Sequence, residues 1–287
     1  MGQYTSKRRR MTIAITVLLP ICALAKRPEP VGTWRYRDDS KTAKVVVIGG
    51  SISARQRHSF TTALASVCRN AELVNKSETG YGARALRRRF RAQLLRNPHV
   101  PLKDPRFRYW VIYSGGLNSV HAPDSAAEHT RGLFADASRA GVQVVAFTLT
   151  PWGDLVDERW RGWGALAQLR STRRYVEFIL RSVQAEDAAT RIEVAVDLWH
   201  SALRAADAAL LPTAALADQY ARTPALRRRY PDRDAGLREV SEAPRFWLRK
   251  ELRSFDHIHP NTAGHRLIAQ TACPSLPASW GCDCSGL

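Results

Sequence analysis

Val45-Val46-Val47-Ile48-Gly49-Gly50-Ser51-Ile52-Ser53 is the stretch whose reading decides the fold. Four β-branched apolar residues in succession predict a strand buried on both faces, as in a parallel sheet. Two glycines then allow a sharp turn. Ser51 falls just past the strand's carboxyl end, where open α/β sheets place their chemistry. Taken alone, the same residues describe an ordinary strand and turn, with Ser51 capping the next helix. The far end of the chain decides between these readings. There Ser254-Phe255-Asp256-His257-Ile258-His259-Pro260-Asn261-Thr262-Ala263-Gly264-His265 places an aspartate three residues before a histidine, in a short turn entering a helix. Such a carboxylate can accept from one ring nitrogen, leaving the other to take a proton from a serine hydroxyl. Pro260 suits the first turn of the following helix, and Leu267-Ile268-Ala269 supply its buried side.

Between these ends, strand and helix patterns alternate. Phe60, Leu64 and Val67 mark one face of a helix that also carries Cys68, and residues 72–75 form a short second strand. Residues 77–83, with Gly80 and Gly82, make a turn that feeds an arginine-rich helix. In that helix Leu86, Phe90 and Leu94 recur at helical spacing, so Arg84, Arg87, Arg88, Arg89 and Arg91 read as its solvated side. Residues 108–114 are a third strand ending in Gly115-Gly116-Leu117-Asn118-Ser119. A helix over 124–140 stops at Gly141, residues 142–150 are a fourth strand, 173–184 a helix and 192–198 a fifth strand. The alternation predicts a parallel sheet covered by helices on both faces. Two stretches escape it, near 152–170 and 205–251, both after carboxyl ends of strands, where substrate loops belong. Trp152, Trp160 and Trp163 in the first can build a local core or stack on a sugar or acyl chain.

A hydrolytic site needs a nucleophile, a base, an orienting acid and donors for an oxyanion. Ser51 supplies the nucleophile at a helix N-terminus, His259 the base and Asp256 its orienter. The Ser51 N–H, a backbone N–H at Gly82 or Gly80, and the Asn118 side-chain amide are the oxyanion donors. These positions, in this order, resemble the SGNH (GDSL-type) hydrolases. Ser51 stands at the serine of Gly-Asp-Ser, Gly82 at the second-motif glycine, Asn118 at the asparagine of Gly-x-Asn-Asp, and Asp256 with His259 at Asp-x-x-His. The resemblance runs from Val45 to Ala272. It implies a three-layer α/β/α sandwich of flavodoxin-like type with a central parallel sheet, and hydrolysis of carboxylic esters through an acyl-enzyme without metal or organic cofactor. The chain departs from the pattern at Gly50, where the family has aspartate before the serine, and at Ser119, where it has aspartate after the asparagine. Transfer to an alcohol, or a non-catalytic glycan-binding module on the same fold, stay open. So does a metal reading of Asp256, His257 and His259, although their spacing is weak for one and His257 reads as an exposed turn residue.

Lys7-Arg8-Arg9-Arg10, the apolar run from Met11 and Ala23-Leu24-Ala25 describe an export signal over residues 1–25, with an uncleaved signal-anchor as the alternative. Cys22 follows Ile21, too bulky for a lipoprotein signal. Residues 26–43 read as a linker, 44–272 as the catalytic domain and 273–287 as a cysteine-bearing tail. The formal net charge of +18 drops by four, to +14, without the signal. Such an excess favours anionic surfaces, whether glycan or lipid headgroup. Nucleic acid is not expected, since no reader motif accompanies the charge. Cys68, Cys273, Cys282 and Cys284 remain, an even set that predicts two disulfides in an exported chain, one within the tail and one to Cys68, with the pairing undetermined. Substrates expected of such a protein are O-acyl groups on a polysaccharide or lipid esters.

Overall fold

All seven residues of β1 (Ala43–Gly49) are buried, because parallel strands hydrogen-bond to it along both edges and helices cover both its faces. The computed structural model describes residues 29–287; the export-signal reading, Cys22 and residues 26–28 lie outside them. β1 pairs with β2 (Ala71–Asn75) on one side and β3 (Arg108–Ser114) on the other. β4 (Gln143–Phe147) and β5 (Val194–Val196) extend the sheet, giving the order β2-β1-β3-β4-β5 with every pairing parallel. The strand order reverses between β1 and β3, which opens a crevice at their carboxyl ends.

Alternation along the strands sorts the core into two layers. Val46, Ile48, Val111, Tyr113, Val144 and Ala146 face one side, and Val45, Val47, Trp110, Ile112, Val145 and Phe147 face the other. The chain leaves β1 through the single-turn α1 (Ser51–Ala54) and then α2 (Phe60–Val67). α3 (Ala83–Phe90), α4 (Pro123–Arg139) and α5 (Gly164–Arg181) cover the first layer, through side chains such as Leu86, Phe134 and Val176. After β5 come α6 (Thr213–Arg222), α7 (Pro224–Arg229) and α8 (Arg233–Ser241). α9 (Thr262–Ala272) returns to the second layer, placing Ile268 and Ala269 with Phe60 and Leu64 of α2. The fold is the three-layer α/β/α sandwich with a parallel sheet that the sequence predicts.

Several local expectations change. The helix expected over 173–184 begins at Gly164, because the buried stripe Leu166, Leu169, Val176 and Ile179 continues upstream at helical spacing. The stretch near 152–170 therefore shrinks to a loop, and its tryptophans are core. Trp152 meets Trp160 edge-on at 4.9 Å between ring centroids, and Trp163 packs on Tyr220 and Tyr230. That last contact anchors the 205–251 excursion, which is helical, against α5. Pro260 lies outside α9; Asn261 caps it by accepting the Gly264 N–H.

Residues 29–42 carry neither helix nor strand and lie along the flank of α3 and β2. The Pro30 carbonyl accepts from Gln93, the Glu29 carboxylate meets Arg89 and the Tyr81 hydroxyl, and Glu72 accepts the Arg37 and Asp38 N–H groups. Cys68 is bonded to Cys282 and Cys273 to Cys284, so the tail is closed on itself and tied to the end of α2.

The arginines of α3 are not simply a solvated side. Arg87 and Arg91 both reach Asp136 on α4, at 2.8 and 2.7 Å, and Arg139 joins them. The Asp136 side chain is only 4% exposed. Burial works to raise its carboxyl, but hydrogen bonds from Arg91 and Arg87 prevail and hold it down to about 2. A carboxyl depressed in the folded state stabilises fully above its unfolded value near 4, and that stability is lost as pH falls through the folded value. Asp136→Asn is expected to lower the unfolding free energy by about 2 kcal/mol at pH 7. In urea titrations the gap to the parent should close as pH falls from 4 towards 2; a gap that stays constant would show that the carboxylate is not its source.

Candidate active site

The turn before α9 is shaped by its own aspartate. Asp256 Oδ1 accepts the Ile258 and His259 N–H groups at 3.2 and 3.0 Å, while its Oδ2 meets His259 Nδ1. Closing so tight a turn puts His257 at φ +62°, a left-handed conformation uncommon outside glycine. Burial works against the Asp256 carboxylate, but the His259 N–H, the His259 ring and the Ile258 N–H together hold its carboxyl below the ordinary range. The other ring nitrogen, His259 Nε2, lies 2.6 Å from Ser51 Oγ across 208 residues of sequence. Ser51 is the first residue of α1, directly beyond the carboxyl end of β1. The side chains of Ser51, His259 and Asp256 thus form one hydrogen-bonded chain, in which the imidazole can accept the serine proton and the carboxylate can hold the resulting cation.

Two neighbouring contacts fix the spacing of these chain ends. Arg55 donates to the Pro260 carbonyl at 3.3 Å and to Thr262 Oγ1 at 3.0 Å, joining α1's exit to α9's entry. The buried His265 ring accepts the Phe60 N–H at 3.4 Å through Nδ1. Burial pushes that imidazole down to about 4, with Arg55 and His259 adding to the effect, so it is neutral at pH 7.

Asn118 follows β3 and sits across the switch point from Ser51. Its side-chain amide donates to the Tyr81 carbonyl at 3.2 Å. The loop that carries it is braced from beneath: Gly116 is left-handed at φ +111°, and a Cβ there would overlap the Tyr175 ring at 2.2 Å. Tyr175 is in turn held in a buried triangle with Tyr113 and Thr130, with oxygen separations of 2.8 to 3.0 Å. Gly82 stands at the N-cap of α3 beside this loop, where Ser119 Oγ accepts the Ala83 N–H at 3.0 Å. Among the described residues neither the Ser51 nor the Gly82 N–H has a protein acceptor. The Gly80 N–H likewise has none; Gly80 is left-handed at φ +78°, and a Cβ there would meet nothing within 4 Å. A Cβ on Gly50 would have ordinary contacts with Asn118 Nδ2 at 3.5 Å and the Tyr81 carbonyl at 3.6 Å, so close packing does not demand glycine at that departure.

A cleft of about 270 Å³ opens over Ser51 and His259, walled by Leu117, Asn118, His121, Trp152, Arg159, Gln168 and Ile258. A much smaller hollow of about 30 Å³ lies behind Ser51, against Gly50, Tyr81, Gly115, Gly116 and Asn118. The Arg159 guanidinium lies 4.8 Å over the Trp152 ring and is oriented by Asp157. Trp152 and Arg159 carry no local motif, and only the packing of the 152–163 loop brings them to the serine. His257 is also placed otherwise than the sequence predicts. It is half-buried, with Nδ1 3.4 Å from Asp154, which also binds Arg253. Its ring therefore leaves the Asp256–His259 pair, and the three do not converge as metal ligands. Among the described residues no cluster of three His, Cys, Asp or Glu side chains does.

No protein-family model matches the chain, and no curated protein sequence does. Solved structures do. A lipolytic protein of the G-D-S-L family from Desulfitobacterium hafniense DCB-2 superposes with a TM-score of 0.51 at 16% identity, over 80% of this chain and 97% of that one. An acetyl xylan esterase, AlAXEase, matches at 0.49 and 16% identity over 79% and 96% of the two chains. A G-D-S-L family member from Veillonella parvula DSM 2008 matches at 0.49 and 15% over 80% and 96%. The first of these superpositions shows that this chain shares its fold with a G-D-S-L lipolytic protein.

The glycine at 82 has a specific neighbour. A Cβ there would sit 2.3 Å from Ser119 Oγ and displace the hydroxyl that caps α3. Gly82→Ala is expected to cost about 1–2 kcal/mol of stability, the scale of a lost N-cap plus local overpacking. Added to Ser119→Ala, where the hydroxyl is already gone, it should cost at least about 0.5 kcal/mol less. Strict additivity in denaturant titrations of the three variants would show that Ser119 is not the reason for glycine.

Proposed function

We propose that the chain is a serine ester hydrolase with Ser51 as nucleophile, His259 as general base and then general acid, and Asp256 as the group that orients the imidazole. The observation that carries this reading is the hydrogen-bonded chain from Ser51 Oγ through His259 to Asp256 at the mouth of a cleft. His259 Nε2 takes the Ser51 proton as Oγ attacks the ester carbonyl. Asp256, held as a carboxylate by two backbone N–H groups, keeps the proton of the neutral ring on Nδ1 and stabilises the imidazolium. Negative charge on the former carbonyl oxygen is met by the Ser51 N–H at the start of α1, the Gly82 N–H and the Asn118 amide. The protonated His259 then gives its proton to the departing alcohol. In the second half-reaction it activates water against the acyl-serine.

Gly82 rather than Gly80 is assigned to the oxyanion site, because Gly82 packs against the Asn118–Ser119 segment and no such contact is found around a Cβ at Gly80. The Asn118 amide is kept in place by the Tyr81 carbonyl and by the tyrosine-braced loop beneath it. Export of the mature chain is part of the same reading. It is supported by two disulfides, which persist in oxidising compartments, and by the basic and apolar character of residues 1–25. The substrate class follows as an acyl ester met outside the cytoplasm, on a glycan or a lipid.

Fluorophosphonate labelling tests the nucleophile without a chosen substrate. The folded protein should be modified at Ser51 alone, as located by peptide mass spectrometry, and Ser51→Ala should not be modified. With an activated aryl ester, Ser51→Ala and His259→Ala should each lower kcat by roughly three orders of magnitude or more, and His257→Ala far less. Labelling at another serine, or loss of activity in His257→Ala with His259→Ala still active, would move the site.

A further inference from the structure

We propose that Leu155, Val156 and Phe255 form a rim by which the Ser51 cleft seats on an anionic lipid surface. The proposal rests on the ester-hydrolase reading of that cleft and narrows its substrate to esters presented by such a surface. Phe255 is 94% exposed although it directly precedes Asp256, and Leu155 and Val156 are 51% and 61% exposed. Large apolar side chains held in water beside a reactive serine mark a contact surface.

The two loops are tied into one platform. Asp154 binds Arg253 and lies 3.4 Å from His257, and the Gly153 N–H donates to the His257 carbonyl at 3.3 Å. Trp152 and Ile258, each three residues along the chain from the rim, wall the cleft itself. Whatever covers the rim is therefore delivered to Ser51.

Backbone chemistry favours lipid as the occupant. An apolar medium penalises unpaired peptide groups, and this turn has paired both rim carbonyls and one of its two rim N–H groups. The Leu155 and Val156 carbonyls both accept from Arg161, each at 3.1 Å, and the Val156 N–H donates to Asp154 Oδ1 at 3.1 Å. Two aliphatic side chains thus project from a turn with little left to desolvate. The Arg161 side chain remains 58% exposed, with Nη1 4.0 Å from Glu158 Oε1, and its long stem and charged head suit a headgroup phosphate. The chain carries a formal +18, or +14 without residues 1–25, which draws it towards anionic headgroups.

The experiment uses the full chain with Ser51→Ala, so that docking is read without hydrolysis and stands or falls apart from catalysis. Phe255→Trp is introduced as the reporter; at 94% exposure it disturbs no packing. Vesicles of phosphatidylglycerol and phosphatidylcholine with brominated acyl chains should shift the reporter's emission to the blue and quench it beyond the parent's own tryptophans. Leu210→Trp, a similarly exposed apolar position on the 205–251 excursion, should show neither effect. Adding Leu155→Ser and Val156→Ser should weaken vesicle affinity by about ten-fold or more, and vesicles of phosphatidylcholine alone should bind several-fold more weakly. An unquenched reporter would overturn the proposal. So would a blue shift that grows with protein concentration in the absence of vesicles, which would assign the rim to a second copy of the chain.

Discussion

Burial of β1 on both faces and along both edges is the constraint from which the rest of the structure follows. A strand so placed has no solvent-facing side, so every residue from Ala43 to Gly49 must pack, and the sheet must grow in parallel from both edges. Parallel growth requires crossover helices, and a chain that first goes to β2 and then to β3 must leave a gap between their connections. The polypeptide emerging from β1 enters that gap at Gly50 and Ser51. Asn118 enters it from the other side, after β3. The serine and the amide share one hollow because the strand order reverses there.

The histidine has to be brought from the other end of the chain, and the second core layer does this. α9 packs against α2 through Ile268, Ala269, Phe60 and Leu64, while His265 accepts from the first N–H of α2. Arg55 then stitches Pro260 and Thr262, just after His259, to the exit of α1. Farther out, the Cys68–Cys282 bond ties the tail to the end of α2. Together these contacts make the distance between Ser51 and His259 a property of core packing rather than of either loop alone.

The chain's many arginines follow a consistent logic. Several hold loops and helices in register: Arg87 and Arg91 bind Asp136, Arg253 binds Asp154, and Arg161 satisfies the turn at Leu155. A guanidinium's fixed fork suits such bridging, which single ammonium groups do less well. The positive balance is therefore partly internal structure and partly a long-range field on the surface.

Periodicity located all five strands, because burial on two faces forces unbroken apolar runs such as Val45–Ile48; β3 lies at residues 108–114 as read from the sequence, whereas β4 and β5 pair only over 143–147 and 194–196 of the expected 142–150 and 192–198. The candidate site residues Ser51, Asn118, Asp256 and His259 were legible from local patterns together with the resemblance those patterns carry. Strand ends are where short local patterns meet chemistry, and an aspartate three residues before a histidine closes its own turn. The sequence also showed that four cysteines remain outside residues 1–25, but only folding chose their partners, since pairing depends on where α2 meets the tail. Folding likewise decided that Trp152, Trp160 and Trp163 are core, that α5 begins at Gly164, and that His257 turns to Asp154. Each of those outcomes depends on a neighbour distant in sequence. An indole buries itself wherever apolar surface is offered, and nothing local states whether a second layer will offer it.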